Sequence, residues 1–225
     1  MLFSTLSFLT SAATLASAAV LPSSSLTKRD NGISVTPHDR YSSSIGVLGC
    51  KINTNRVAYW PSSPDCNNIC VKVSANGRSV HLLKIDQSGG AHDISYDAWN
   101  YLSTGQSAKD DPTQGGGIDA TWEDAPMSDC ADLLSAGGGK LAFAAANSMN
   151  FITSCSADTW VGKNYALYNI VNTQCTWGYN ETCTMPDPSQ GNQPTCAHQL
   201  GTTVALTSQP VWNIDYGTGQ LSLAQ

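Results

Sequence analysis

Two carboxylates stand close together in the chain, at positions that suit acid–base chemistry. Asp86 ends a stretch rich in apolar residues, and Asp93 follows the flexible Gly89-Gly90 loop. Inverting hydrolysis of a glycosidic bond needs one carboxylic acid and one carboxylate, about 6.5–9.5 Å apart. Asp93 is the candidate general acid and Asp86 the weaker second candidate. Each also has a structural alternative, because Asp caps helix N-termini and forms turns.

Aromatic residues gather in the same half of the chain, and exposed aromatic faces can stack on sugar rings. Tyr59 and Trp60 precede a Pro/Ser-rich stretch and are the predicted groove residues, with His92 beside them as a further substrate-binding candidate. Trp99 and Trp122 are predicted to be core residues. A role for His92 as a titrating catalyst is the less favoured alternative.

Eight cysteines occur in the chain, an even number that predicts four disulfide bridges in an exported protein. They are Cys50, Cys66, Cys70, Cys130, Cys155, Cys175, Cys183 and Cys196. The sequence alone leaves the pairing open. Zinc held by Cys66 and Cys70 with His81 or His92 is the alternative, but the spacing is not that of a metal knuckle. We therefore expect no metal and no cofactor.

The first half of the chain alternates apolar and polar residues as strands do. We predict strands over Val71–Ser74, Val80–Ile85 and Ile118–Trp122, with Asn76-Gly77 as a hairpin turn. A helix is predicted from Tyr96 to Leu102 after Ser95 as the N-cap residue.

The second half is harder to interpret. Leu141–Ile152 is predicted as a short helix, and Tyr165–Val171 and Thr202–Leu206 as strands. Asp187–Thr195 is predicted as a loop because it is rich in Pro, Gly, Gln and Asn. Without a clear linker, this half is expected to pack on the first half.

The N-terminus carries processing signals. Residues 1–18 are predicted to be a signal peptide, because an apolar run ends in the small-residue pattern Ala16-Ser17-Ala18. Residues 19–29 are predicted to be a propeptide that is cleaved after the dibasic pair Lys28-Arg29. The apolar run is too short to span a membrane.

The expected mature chain is acidic and extracellular. Removing residues 1–29 leaves 9 basic and 17 acidic side chains, a formal charge of −8. Phosphate backbones repel such a chain, so a nucleic-acid partner is not expected. Asn180-Glu181-Thr182 is a glycosylation sequon, and Asn180 is its predicted acceptor.

The order of motifs resembles the double-psi β-barrel superfamily, which includes expansins, barwin-like proteins, rare lipoprotein A and the fungal cerato-platanins. The resemblance rests on a Cys-rich turn, a strand hairpin, a Gly-rich loop and a His-Asp stretch before a helix. The matching parts are Cys66–Cys70, Val71–Ser74, Val80–Ile85, Asp86, Gly89-Gly90, His92–Trp99 and Ile118–Trp122. The stretch Ser88–Ala108 is especially similar to cerato-platanins.

The resemblance implies a mainly β fold: a six-stranded double-psi β-barrel with short helices, over residues 30–130, and a disulfide-rich C-terminal extension, residues 131–225. It implies the bridges Cys50–Cys66 and Cys70–Cys130. It also gives Asp93 the place of the family's acid. In barwin-like endoglucanases the base follows a Tyr-Trp pair, whereas here Pro61 follows Tyr59-Trp60. Efficient hydrolysis is therefore not expected.

Three functions remain open from the sequence. The favoured hypothesis is a secreted fungal protein that binds cell-wall polysaccharide without efficient hydrolysis, in the cell wall or apoplast, acting as an effector or virulence factor. The second is a glycan-cleaving enzyme that uses Asp93 as its acid. The third is a module that binds a host extracellular protein, such as a cysteine-protease inhibitor.

Overall fold

The computed structural model describes residues 31–185 and 192–225. The predicted signal peptide and propeptide lie outside the described residues, as does most of the predicted loop Asp187–Thr195. No helix within the described ranges is long and apolar enough to cross a membrane.

Six strands close into a barrel, which confirms the predicted fold class. Around the barrel the strands follow the order β1-β5-β2-β4-β3-β6. The pairs β1–β5 and β2–β4 are parallel, and the other neighbours are antiparallel. The strands are β1 (Asn31–His38), β2 (Val57–Trp60), β3 (Cys70–Ala75), β4 (Arg78–Gln87), β5 (His92–Ser95) and β6 (Ile118–Asp124).

The hairpin between β3 and β4 forms at the predicted turn. Asn76 has φ 52° and Gly77 has φ 73°, so both central residues adopt the left-handed conformation that tight hairpin turns require. The strand predictions for Val71–Ser74, Val80–Ile85 and Ile118–Trp122 are confirmed.

Alternation along the strands separates two hydrophobic clusters. Val35, Ala58 and Ile94 belong to the cluster inside the barrel, which α1 (Tyr96–Thr104) also joins. Tyr59 and Ile85 face outwards and join a second cluster, formed with residues of the C-terminal half. Apolar side chains thus line both faces of β2 and β4, and the outer face of these strands is covered.

The C-terminal half contributes two small sheets and two helices. Its sheets consist of β7–β8–β9 and of the ribbon β10–β11. Two 3-10 segments lie outside these sheets: Gly49–Lys51 in the first half, and Met127–Gly137 where the two halves meet. The elements are β7 (Leu141–Ala144), α2 (Met149–Ser154), α3 (Trp160–Lys163), β8 (Tyr165–Ile170), β9 (Gly178–Cys183), β10 (Trp212–Ile214) and β11 (Leu221–Leu223).

Four disulfides join the chain, and two of them tie the halves together. Cys70–Cys130 forms as the resemblance implied, but the implied pairing of Cys50 with Cys66 is wrong. Cys50 instead bonds Cys175, and Cys66 bonds Cys155. The fourth bridge is Cys183–Cys196. With Cys66 and Cys70 both bridged, the zinc alternative is wrong.

Two predictions for the second half fail. Leu141–Ile152 is not one helix: its first four residues form β7, whose side chains are all buried, and α2 begins at Met149. A short apolar run buried on both faces has no periodicity that distinguishes strand from helix. Thr202–Leu206 is not a strand, since it makes one isolated bridge, between Ala205 and Trp177. The strand at Tyr165–Val171 is confirmed as β8.

The helix at Tyr96 is confirmed, but its N-terminus differs from the prediction. Ser95 occupies the N-cap position without capping the helix through its side chain. Its Oγ donates to the Thr54 carbonyl and accepts from the Val57 N–H instead. Asp93 lies in β5, two residues before the cap, so the alternative of Asp93 as a helix cap is wrong.

Candidate functional site

Four neighbouring strands place the two candidate carboxylates in one row on the outer face of the barrel. Thr36 of β1 pairs with Asp93 of β5, Asp93 pairs with Tyr59 of β2, and Tyr59 pairs with Asp86 of β4. Adjacent strands lie about 4.8 Å apart, so two strand spacings separate the backbones of Asp93 and Asp86 by about 10 Å. We call Thr36, Asp93, Tyr59 and Asp86 the carboxylate row.

Asp93 is held by a side-chain hydroxyl. The Thr36 Oγ1 donates a hydrogen bond to the Asp93 Oδ1, and both residues are half-buried. The side chain of Asp93 is therefore not sealed in the core, and within residues 31–185 and 192–225 its hydrogen-bond donor is a hydroxyl and not a backbone amide.

Asp86 is a buried anchor, only 8% exposed. A bulge between Ala58 and Tyr59 brings it into the row. Its Oδ2 accepts from the Ser42 hydroxyl at 2.5 Å. Its Oδ1 accepts from the backbone N–H of Ser44 at 2.7 Å and of Gln87 at 2.8 Å. Three donors to one buried carboxylate tie the segment after β1 to the end of β4.

Tyr59 and Trp60 do not lie open on a groove, and that expectation is wrong. Tyr59 is 3% and Trp60 is 1% exposed. The Tyr59 ring lies 4.4 Å from the ring of His38, and burial raises the pKa of its hydroxyl. Trp60 points into the barrel and meets Trp122 edge-on at 4.5 Å. Both aromatic side chains are therefore core residues that support the strands, and neither is open to a ligand.

His92 lies on the opposite side of β5 from Asp93. Its ring meets Trp60 edge-on at 5.3 Å. Burial lowers the pKa of His92, and the neighbouring charge of Asp93 raises it in part. The structure thus separates His92 from the row, although the two residues adjoin in sequence.

A shallow, open depression adjoins the row along β1. Its volume is about 550 Å³, and Ser34, Ser74, Asp119 and Thr121 supply its polar side chains. Ser34 and Thr36 are alternate residues of one strand, so they share the outer face. The depression presents hydroxyl and carboxylate groups, which suit a ligand rich in hydroxyls.

A second, narrower cleft lies at the other end of β1. Its lining includes His38, Arg40, Tyr59 and Asn55. Its volume is about 20 Å³, enough for about one water molecule but far too small for a sugar ring. Any ligand here would rest on the surface instead of entering a pocket.

The sequence analysis missed Thr36 and His38 because it did not identify β1. The signal was present in the alternation of Ile33 and Val35 with Ser34 and Thr36. Within residues 31–185 and 192–225, no cluster of three or more His, Cys, Asp or Glu side chains could hold a metal ion.

The closed six-stranded barrel, with its two parallel strand pairs, has the architecture of the double-psi β-barrel superfamily. The cerato-platanin family model matches residues 17–133, just over half of the chain. The chain belongs to the cerato-platanin family. A search of curated proteins found no match. The matched segment ends before β7, so most of the C-terminal half lies beyond it.

Proposed function

We propose that this chain is a secreted fungal protein that binds cell-wall polysaccharide through the outer face of β1 and β5 without efficient hydrolysis. Membership of the cerato-platanin family supports a fungal, cell-wall-associated and non-catalytic protein. The polysaccharide itself, secretion into the apoplast and an effector or virulence role on a host are the proposal's own extensions.

The observation that carries the proposal is the unequal state of the two carboxylates. Asp93 is half-buried on the outer face of β5, whereas Asp86 is buried and accepts three hydrogen bonds. The open polar depression begins at Ser34, two residues along β1 from Thr36, the partner of Asp93. Hydrolysis needs a second accessible carboxylate, either to activate a water on the opposite face of the sugar or to attack the sugar itself. Asp86 has no such access, and this favours binding over cleavage.

The carboxylate row and the depression offer a polysaccharide both hydrogen-bond donors and hydrogen-bond acceptors. The Asp93 carboxylate accepts hydrogen bonds, and the hydroxyls of Thr36, Ser34 and Thr121 both donate and accept. Sugar hydroxyls need partners of both kinds. The formal charge of −8 expected for the mature chain disfavours a strongly acidic polymer and points to a neutral one.

The test is co-sedimentation of the mature protein with insoluble cellulose and chitin, with reducing ends measured in the same tubes. We expect retention of the wild type without release of reducing ends. Asp93→Asn and Thr36→Val should weaken retention about fivefold, the effect of one net hydrogen bond of about 1 kcal/mol. Ser135→Ala is the matched control, because Ser135 is an exposed hydroxyl in the 3-10 segment Met127–Gly137 and belongs neither to the row nor to the depression.

Two outcomes would overturn the proposal. The first is no retention on either polymer. The second is release of reducing ends by the wild type that Asp93→Asn abolishes, which would establish the enzymatic alternative.

A further inference from the structure

The ribbon β10–β11 exposes a group of large apolar side chains. Trp212 is 45% exposed and stands opposite Leu223 in the ribbon. Leu221, two residues from Leu223, shares this face and is also exposed. An exposed indole grouped with two exposed leucines marks a candidate contact surface.

The ribbon holds Trp212 in a fixed position. The neighbouring Asn213 is buried, and its Oδ1 accepts a hydrogen bond from the backbone N–H of Tyr41 at 2.9 Å. Ile214 is 4% exposed and packs in the cluster inside the barrel. Across the turn, the Ser222 hydroxyl donates to the Asp215 carboxylate at 2.5 Å. A ligand that stacks on Trp212 therefore orders little new structure, which limits the entropy cost of binding.

A groove of about 320 Å³ runs beside Trp212. Pro210, Trp212 and Leu221 supply apolar groups to it, while Asn55 and Lys109 supply an amide and an ammonium group. An aromatic face beside hydrogen-bonding side chains suits a ring with an apolar face and a hydroxyl rim.

The groove is continuous with the narrow cleft at the end of β1. Thr54, Asn55 and Trp212 line both. The cleft in turn includes His38, which is half-buried and follows Thr36 by two residues on the same face of β1. A long, extended ligand bound at the row can thus continue across the cleft to the ribbon.

From this continuity we infer that Trp212 forms a second subsite for a neutral, β-linked glycan chain, and that one sugar ring stacks on its indole. The inference rests on the proposed function, because it extends the same chain of sugars from the row. β-Linked chains with equatorial hydroxyls present flat C–H faces, which match an indole. The subsite belongs to the C-terminal half, beyond the segment that matches the family.

The test compares binding isotherms of the wild type, Trp212→Ala and Trp212→Phe on insoluble cellulose and on chitin. Trp177→Ala is the matched control, since Trp177 is also 45% exposed and lines neither the groove nor the cleft. We expect about tenfold weaker binding for Trp212→Ala, as for truncation of an aromatic anchor. Trp212→Phe should retain most of the affinity, and Trp177→Ala should bind as the wild type does.

Cellulose and chitin present the same stacking face. A difference between their binding isotherms therefore identifies which of the two sugars the subsite prefers. Near-ultraviolet circular dichroism checks that each variant is folded, and Asn55→Ala tests the polar side of the groove should Trp212→Ala misfold. Wild-type affinity in Trp212→Ala, or an equal loss in Trp177→Ala, would overturn the inference and leave the proposed function standing. A wild type that binds neither polymer would overturn both.

Discussion

The hydroxyl of Thr36 donates a hydrogen bond to the carboxylate of Asp93 across the parallel strand pair β1–β5. The two residues are distant in sequence but are directly paired in the barrel. The bond orients an acid that is half-buried on the outer face, and Ser34, two residues before Thr36 on β1, belongs to a depression lined by further hydroxyls. This pairing is the basis for placing a polysaccharide on this face.

The buried carboxylate of Asp86 is predicted to stabilise the fold. Asp86→Ala leaves the donors of Ser42 and Ser44 without their acceptor, while the Gln87 N–H keeps only its bond to the Ser44 hydroxyl. We therefore expect a loss of about 3 kcal/mol in the free energy of unfolding. Asp86→Asn keeps one oxygen, and a rotated Ser42 hydroxyl can accept its amide, so a loss of about 1 kcal/mol is expected. Urea unfolding with disulfides intact measures both.

Asp124→Ala is the control for this comparison, because Asp124 is exposed at the end of β6 and should change stability by less than about 0.5 kcal/mol. Equal stability of Asp86→Ala and this control would mean that Asp86 does not anchor the segment after β1.

Local features of the barrel could be predicted from the sequence. Asn76-Gly77 sets its hairpin through the backbone freedom of two adjacent residues, and the alternation of β3 follows from burial on one face. The position of Asp93 before a helix was also visible. What the sequence did not reveal was that β5 intervenes, so that the acid faces Thr36 instead of the helix amides.

Long-range relations could not be predicted. The partner of Cys50 is Cys175, 125 residues away, and no local pattern encodes that distance. Tyr59 was expected to be open because β2 was considered alone, whereas the C-terminal half covers that face of the barrel. Trp212 had no neighbours in sequence that would indicate a site. Its significance depends on Asn55 and Lys109, which only the fold brings near it.

The disulfides that join the halves are predicted to matter more than the short one. Replacing Cys50 and Cys175 together with Ala should lower the free energy of unfolding by about 2–4 kcal/mol, because the bridge closes a long loop of the unfolded chain. The double replacement of Cys183 and Cys196, which are 13 residues apart, should cost less. Denaturant unfolding compares the two, and non-reducing peptide mapping checks each remaining bridge. A larger loss from the short bridge would contradict this ranking.

Glu181 is predicted to make stability depend on pH in acid. The His198 N–H, the Asn169 amide and the His198 ring lower the pKa of Glu181 from 4.5 to about 2. A depressed pKa in the folded state contributes stability above pH 4.5, and this contribution is lost as the pH falls from 4.5 towards 2. Melting temperatures between pH 6 and 2 should therefore converge for the wild type and Glu181→Gln as the pH falls. Asp124→Asn is the control, and a difference that does not change with pH would contradict the account.

Processing gives a prediction that mass spectrometry can check. Protein secreted from a fungal host should begin at Asp30, contain 196 residues before any glycan and have no free thiol. Asn180 is exposed on β9, where its Oδ1 accepts from the Lys51 ammonium at 2.9 Å, and it should carry a glycan that peptide-N-glycosidase releases. Thr182→Ala should abolish that glycan. An N-terminus upstream of Lys28, or an unmodified Asn180, would contradict the corresponding part of the prediction.

The most direct test of a glycan-binding outer face is a backbone amide chemical-shift map of the mature protein during titration with soluble cellohexaose and chitohexaose. The account predicts shifts that begin in β1 and β5 around Thr36 and Asp93 and extend to Trp212 in the ribbon. Thr36→Val should reduce the shifts in β1 and β5. An unchanged spectrum at saturating concentrations of both oligosaccharides, or shifts confined to the surface around Trp177 and Glu181, would contradict it.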